Sequence, residues 1–366
     1  MNIAVIYGGR SGEHEVSIVS ATSIVRHLDR TKYQTTLIGI SKEGRWFYQD
    51  PSQIDKVREE EDTLLEIVQD AQREVMVIPG GGCAGGLRVA GAGGTFVHIK
   101  IDLAFIVLHG TYGEDGTIQG LFDMVGIPYT GCGCLSSAVS MDKELTKAVW
   151  RNAGLPVFPH LCLHCGDVGK TGWDTAKLQQ LLEPAERDFG YPLFVKPCSA
   201  GSSVGAAKPA NFQQLVEALQ EAFKWDYKVL VEPGLSPREI ECSVTGNGAN
   251  FSPRTTQDES PAPGWDDQAA AADVDTVRSY LPGEIAPPHQ FYDYDAKYTD
   301  PNGARLIIPA ELTDQQREEI RSMAIRAYKS LDCTGLSRVD FFLCPDGSFV
   351  FNEINTLPGF TSISLY

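Results

Sequence analysis

The chain is poor in positive charge: 31 lysines and arginines stand against 48 aspartates and glutamates, a formal net charge of −17 over 366 residues. Such a surface repels polyanions, which argues against non-specific nucleic-acid binding and against an anionic membrane as partner. No apolar run approaches membrane-spanning length, and the opening Met-Asn-Ile-Ala-Val-Ile-Tyr-Gly-Gly lacks a basic leader, so no export signal is expected. The nine cysteines are scattered and suggest idle thiols in a reducing cytoplasm, not a disulfide framework. Cys162-Leu-His-Cys165 and Cys132-Gly-Cys134 have no second C-x-x-C partner at finger spacing, which makes a zinc site a poor reading. Two glycine signatures are missing as well. Gly8-Gly9-Arg-Ser-Gly12 is not the dinucleotide pattern G-x-G-x-x-G, and no G-x-x-x-x-G-K-[ST] loop occurs.

What is present fits a soluble globular protein of two or three domains, with 42% hydrophobic and 22% charged residues. An apolar strand at 2–7, a glycine turn and a helix carrying Val16, Val19, Ile24, Val25 and Leu28 at helical spacing open a Rossmann-like unit. Strands at Gln34–Ile40 and Ile101–Leu108 and a helix near Ile118–Met124 continue it as a parallel, doubly wound α/β sheet. The glycine-rich stretch 80–94 is expected to be a flexible surface loop. A break near Gly131–Ser140 precedes a helix from Met141. The stretch 192–247 reads as strand, glycine loop, helix and two more strands. A long irregular stretch follows at roughly 250–284, then a helix at Asp314–Ser330.

The densest signal is Ser337-Arg-Val-Asp-Phe-Phe-Leu-Cys-Pro-Asp-Gly-Ser-Phe-Val-Phe-Asn-Glu-Ile-Asn-Thr356. It predicts a β-hairpin turning at Asp346-Gly347, the pair that tolerates the positive φ angles of a two-residue type I′ turn. Asp340 then faces Glu353 and Arg338 faces Asn355, all on one side, while Val339, Phe341, Leu343, Val350 and Ile354 take the buried side. Two carboxylates and a carboxamide so close suit Mg²⁺ beside phosphates. A solvated hairpin face with Arg338 offsetting Asp340 is the plainer alternative on this segment alone. The Pro-Gly turn after Asn355, whose freed amides suit an anion, favours the metal reading.

Other groups fall into order along the chain. Lys196 ends a buried strand ahead of Ser199-Ala-Gly-Ser-Ser-Val-Gly205, whose small residues suit close phosphate approach, though an ordinary turn fits as well. Glu232 and Glu239 sit at strand ends where a nucleoside could pair. His109 to Gly116 closes a strand at the carboxyl edge where open α/β sheets bind ligands. Glu13, His14 and Glu15 lie at a matching junction, where acids also stabilise a helix start. Phe291 to Tyr298 is a polar-aromatic block, a candidate lid with Lys297 as a cation to aim inward.

Taken together, GGRSGEHEVS, HGTYGEDG, SMDK, FVKPCSAGSSVG, REIECSV, YDYDAKY, SRVDFF and NEINTLPGFTS resemble the signatures of the D-alanine–D-alanine ligases of the ATP-grasp superfamily, over nearly the whole chain. The resemblance implies a Rossmann-like N-terminal domain at 1–140 and a two-part ATP-grasp fold, 141–237 and 238–366. It implies ATP-dependent joining of two D-alanines through an acyl phosphate, with release of ADP and phosphate, in a cytoplasmic homodimer. Lys143, Lys196, Ser203 and, from the lid, Lys297 would meet phosphates; Glu232 and Glu239 would hold adenine and ribose. Asp340, Glu353 and Asn355 would bind two Mg²⁺ or Mn²⁺ ions. Glu15 would fix the first D-alanine ammonium with Ser202 and Tyr298. Arg338 and the Gly359 amide would form the oxyanion hole, and Ser364 and Leu365 would take the second carboxylate. Three features depart from the pattern: the chain stops at Tyr366, the 250–284 loop is long, and Pro233 follows the adenine-site glutamate. A D-alanine–D-lactate ligase and an inert nucleotide-binding relative are the alternatives; Tyr298 favours a D-alanine acceptor.

Overall fold

The computed structural model describes residues 1–91, 95–168, 173–247, 277–286, 305–361 and 364. Sixteen strands among them run as β1 (Asn2–Gly8), β2 (Gln34–Ile40), β3 (Trp46–Tyr48), β4 (Val75–Val77), β5 (Leu87–Ala90), β6 (Phe96–His98), β7 (Leu103–Val107), β8 (Leu161–His164), β9 (Leu193–Pro197), β10 (Lys228–Pro233), β11 (Arg238–Asn247), β12 (Arg278–Ser279), β13 (Gly283–Ala286), β14 (Arg305–Ile307), β15 (Thr334–Leu343) and β16 (Phe349–Asn355).

The first sheet has the order β3-β2-β1-β7, with β1 parallel to both neighbours and β3 antiparallel at the edge. Alternation along β1 feeds two cores. Val5 and Tyr7 pack with Leu37, Val107 and the helix His14–His27, while Ala4 and Ile6 pack with Ile38, Ile106 and the helix Thr117–Val125. A parallel sheet covered on both faces explains why β1 reads as a continuous apolar run.

The expected loop at 80–94 is instead largely ordered. Leu87–Ala90 is the middle strand of a small β4-β5-β6 sheet, and Leu87 is fully buried against the first core. Glycine content misled here because the tertiary contact of Leu87 outweighs the local backbone freedom. The break expected at Gly131–Ser140 is also filled: Cys134–Met141 is helical, and Asp142 separates it from the helix Lys143–Asn152 by accepting the Glu144 and Leu145 N–H groups.

The middle lobe is an antiparallel β8-β10-β9 sheet packed on the helices Thr175–Phe189 and Phe212–Ala222 through Leu178, Leu182, Leu215 and Leu219. The last lobe is a six-stranded antiparallel sheet, β14-β13-β11-β15-β16 with β12 beside β11. The helix Asp314–Ser330, opened by a Thr313–Gln316 capping box, covers one face of it; Trp150, Tyr328, Phe341 and Phe351 fill the core between.

The β15–β16 hairpin keeps the expected pairs Arg338↔Asn355 and Asp340↔Glu353, but by a different route. The tip is a three-residue loop, Pro345-Asp346-Gly347, closed by Cys344 and Ser348, and only Gly347 has positive φ (87°). Beyond the tip the ladder runs Leu343↔Phe349, Phe342↔Val350 and Phe341↔Phe351; a bulge at Asn352 then restores the Asp340↔Glu353 register. Phe349 and Phe351 therefore take the buried side and Val350 does not, which corrects the face assigned to Val350. Most of 250–284 and the lid block with Lys297 and Tyr298 lie outside the described residues, as does Leu365.

Candidate active site

Two adjoining cavities lie where the three units meet. The larger, about 290 Å³, runs between the middle and last lobes and is walled by Lys143, Lys196, Ser203, Glu232, Glu239 and Asp340 among others. The smaller, about 120 Å³, lies between the last lobe and the N-terminal unit, with Glu13, Glu114, Gly359 and Ser364 in its wall. Ser202, Glu241, Arg338 and Glu353 front both.

Charge in the larger cavity is organised around buried carboxylates. Glu232, at the end of β10, lies 2.8 Å from Lys196 Nζ and 2.9 Å from Lys147 Nζ. Burial alone pushes the Glu232 carboxyl up, but the two ammonium groups outweigh it and hold it at about 2. Lys147 has no exposed side-chain surface; burial pulls its ammonium down to about 8, against the attraction of Glu232. The two ammonium groups bracket the carboxylate, Lys147 on one oxygen and Lys196 on the other, and both hold it ionised. Lys196 also donates to Asn352 Oδ1 at 3.1 Å, tying the middle lobe to the bulge. Lys143 stands 3.2 Å from Glu353 and donates to the Ala200 carbonyl at 3.0 Å. Burial opposes its charge, yet Glu353 keeps it protonated, above the ordinary lysine value.

The acids of the last lobe line up across three strands. Glu241 faces Asp340, and Asp340 faces Glu353, so neighbouring strands bring three carboxylates to one wall. Arg338 forks onto Asp340 with two 2.7 Å bonds and reaches Glu241 at 3.1 Å, while Asn355 donates to Asp340 at 2.9 Å. Among the described residues no cluster of three acidic, imidazole or thiol side chains forms a ready metal cage, at the hairpin or at the cysteine pairs. Mg²⁺ needs no such cage, because it takes one or two carboxylates plus waters and phosphate oxygens. The opposed Asp340 and Glu353 with the Asn355 carboxamide supply that hard-oxygen set.

The smaller cavity corrects one expectation. Glu15 points to solvent, 71% exposed at the side chain, and pairs with Lys42 at 2.8 Å. Glu13, two residues earlier, turns inward and accepts a 2.5 Å hydrogen bond from Ser202. The sequence signal was in view, since both acids flank the helix start; helix geometry decides which one faces inward. Ser202 and Ser203 have left-handed φ angles of 50° and 58°, uncommon for non-glycine residues. Glu114 accepts the N–H of Gly110 at 2.8 Å and of Leu357 at 3.3 Å; burial and the Glu13 carboxylate nevertheless push it up to about 8. His109 binds the Leu357 carbonyl and Ser20 through its two ring nitrogens, so it fastens the C-terminal loop to the N-terminal unit. Burial pushes its imidazole down, which keeps it neutral.

The assembly therefore gathers Lys143, Lys196, Ser202, Ser203, Glu232, Glu239, Arg338, Asp340, Glu353, Asn355, Gly359 and Ser364 at one place, and leaves Glu15 outside. Three participants escaped the sequence reading. Glu241 follows Glu239 at strand spacing, Lys147 follows Lys143 at helix spacing, and Asn352 sits at a bulge that no local pattern announces.

A Rossmann-like unit followed by two lobes that grip a lysine-lined cleft is an ATP-grasp fold. The N-terminal model of the D-ala D-ala ligases matches residues 2–132, and the C-terminal model matches residues 149–258 and 268–366. The D-alanine–D-alanine ligase of Treponema denticola is 48% identical over all of this chain and 90% of that protein; that of Heliobacterium modesticaldum is 43% identical over all of this chain and 88% of its own length. The D-alanine-D-alanine ligase structure from Coxiella burnetii superposes with a TM-score of 0.74 at 32% identity, covering 100% of this chain and 87% of that one. The D-Ala:D-Ser ligase VanG of Enterococcus faecalis gives 0.73 at 32%, covering 100% and 92%. The chain belongs to the D-alanine–D-alanine ligase family.

Proposed function

We propose that the protein joins two D-alanines at the expense of ATP, releasing ADP and phosphate, and so supplies a peptidoglycan precursor. The observation that carries this reading is the shared wall: the same Ser202, Arg338 and Glu353 front a lysine-lined cleft and a small acid-lined cavity. A phosphoryl group held in the first is thereby brought to a carboxylate held in the second.

In this reading Glu239 meets the ribose and Glu232 the base, with Lys143, Lys196 and the Ser203 loop on the phosphates. Lys297 joins them from the lid. Asp340, Glu353 and Asn355 would hold Mg²⁺ or Mn²⁺, two ions, which offset charge on the transferring group when bound. Glu13, not Glu15, fixes the first D-alanine ammonium with Ser202 and Tyr298. A carboxylate oxygen of that D-alanine attacks the terminal phosphorus and ADP departs. The amine of the second D-alanine, its carboxylate at Ser364 and Leu365, then attacks the acyl carbon. Phosphate leaves, the amine loses its proton, and the transient oxyanion faces Arg338 and the Gly359 amide. The domain limits near 140 and 237, a cytoplasmic setting and a homodimer belong to the same proposal. Nine free thiols support the setting, and sedimentation tests the dimer.

D-alanine-dependent phosphate release is the test. Wild type should turn over, and Glu353→Ala should lose several orders of magnitude; equal rates discard the assignment. Because a D-Ala:D-Ser ligase superposes about as well, D-serine and D-lactate belong in the same assay. A clear preference for either would replace D-alanine as acceptor.

A further inference from the structure

The loop bearing Ser202 and Ser203 keeps two consecutive left-handed serines. Such a backbone persists only where its surroundings over-determine it. One short turn, Trp225-Asp226-Tyr227-Lys228, supplies much of that constraint. Asp226 Oδ2 accepts the Ser199 N–H at 2.7 Å, and the Lys228 carbonyl accepts the Cys198 N–H at 3.0 Å, fixing where the loop begins. At its other end the Trp225 ring lies against Gly205, where an added Cβ would sit 2.6 Å from Cδ1.

The same turn reaches a second element. Lys228, 5% exposed, places Nζ 2.5 Å from Asp142 and 3.4 Å from Glu144. Asp142 caps the helix that starts at Lys143, and the Lys143 N–H bonds the Cys198 carbonyl at 3.0 Å. Trp225, Asp226 and Lys228 line neither cavity. The serine loop and the Lys143 ammonium are thus hung from one support behind the cleft.

We infer that Asp226 and Lys228 are positioning residues that fix the Lys143 ammonium relative to the serine loop, and so govern recognition of the nucleotide's polyphosphate rather than its base. The inference rests on the reading above, in which those two groups face ATP phosphates. Neither residue touches substrate; each acts through the element it holds.

Titration calorimetry of the full chain with ATP and with adenosine separates this role from general support. Asp226→Ala and Lys228→Met are expected to weaken ATP by about tenfold or more and to leave adenosine within twofold. Asp226→Asn keeps a carbonyl acceptor for Ser199 and Lys228→Arg keeps the charge, so both should recover most of the loss. The KM for ATP should rise while that for D-alanine stays put. Parallel losses for ATP and adenosine, or no change in either, overturn the inference. Should Lys228→Met fail to fold, the half-buried Asp226 pair decides alone. A wild type that binds ATP no tighter than adenosine removes the reading of the cleft, and this inference with it.

Discussion

Glu13 and Glu15 offer the sharpest single test, because two acids with one residue between them are assigned opposite importance. Glutamine keeps the size of each side chain and its capacity to accept a hydrogen bond, and removes only the charge. Glu13 is half-buried, bonded to Ser202, and faces the small cavity. A hydrogen bond to a charged partner contributes about 1.5–3 kcal/mol, and stripping one member of an enclosed charge pair costs about 2–5 kcal/mol. With Glu13 only partly enclosed, about 2–3 kcal/mol is expected, or roughly 30- to 150-fold in kcat/KM for D-alanine. Glu15 is solvent-exposed; its bond to Lys42 holds its carboxyl below the usual range, and no cavity is affected by its loss. Its substitution should stay within twofold. Phosphate release with D-alanine varied at saturating ATP measures both, and the KM for ATP should not move in either variant. A tenfold or larger loss in Glu15→Gln, with Glu13→Gln unaffected, would refute the placement.

Lys147→Met leaves Glu232 in a dry site with Lys196 as its remaining close cation, so thermal unfolding should show a loss of about 2–4 kcal/mol and the Glu232 carboxyl should rise from about 2. An unchanged unfolding curve would mean that the site holds more water than its burial implies. Glu114 has a folded value raised to about 8, so the stability it contributes is complete below the ordinary 4.5 and fades as pH climbs through 8. Because Glu114 lines a cavity and is not sealed in the core, the swing should stay under about 3 kcal/mol, and urea midpoints at pH 5.5 and 8 should converge in Glu114→Gln. Gly335→Ala adds a Cβ 2.9 Å from the Gly131 backbone at a φ of 72°. Neither side can yield easily, so about 2–4 kcal/mol should be lost in the same thermal assay.

The motifs carried most of the site. Strand alternation placed Asp340 and Glu353 on one side, and the helix Asp314–Ser330 was visible from end to end in its sequence pattern. What stayed hidden depended on contacts distant in sequence. Leu87 orders a glycine-rich stretch only because the first core receives it. The pairing of Asp340 with Glu353 was deduced from a two-residue turn that is not there, and it holds because the bulge makes up the difference. Glu15 was preferred to Glu13 by resemblance alone; only the direction of the helix start separates them. Lys147 went unmarked because nothing local shows that its helix buries it against Glu232.

The kink at Asn352 has a further effect. An ordinary strand presents a side chain to a given face at every second position, which caps how many polar atoms a short edge can offer. By folding one residue out of step, β16 turns Asn352, Glu353 and Asn355 toward the cavities within four positions. A single border strand can therefore reach across to Lys196 of the opposite lobe and still present a carboxylate and an amide to the cavity walls, with no loop spent on either task.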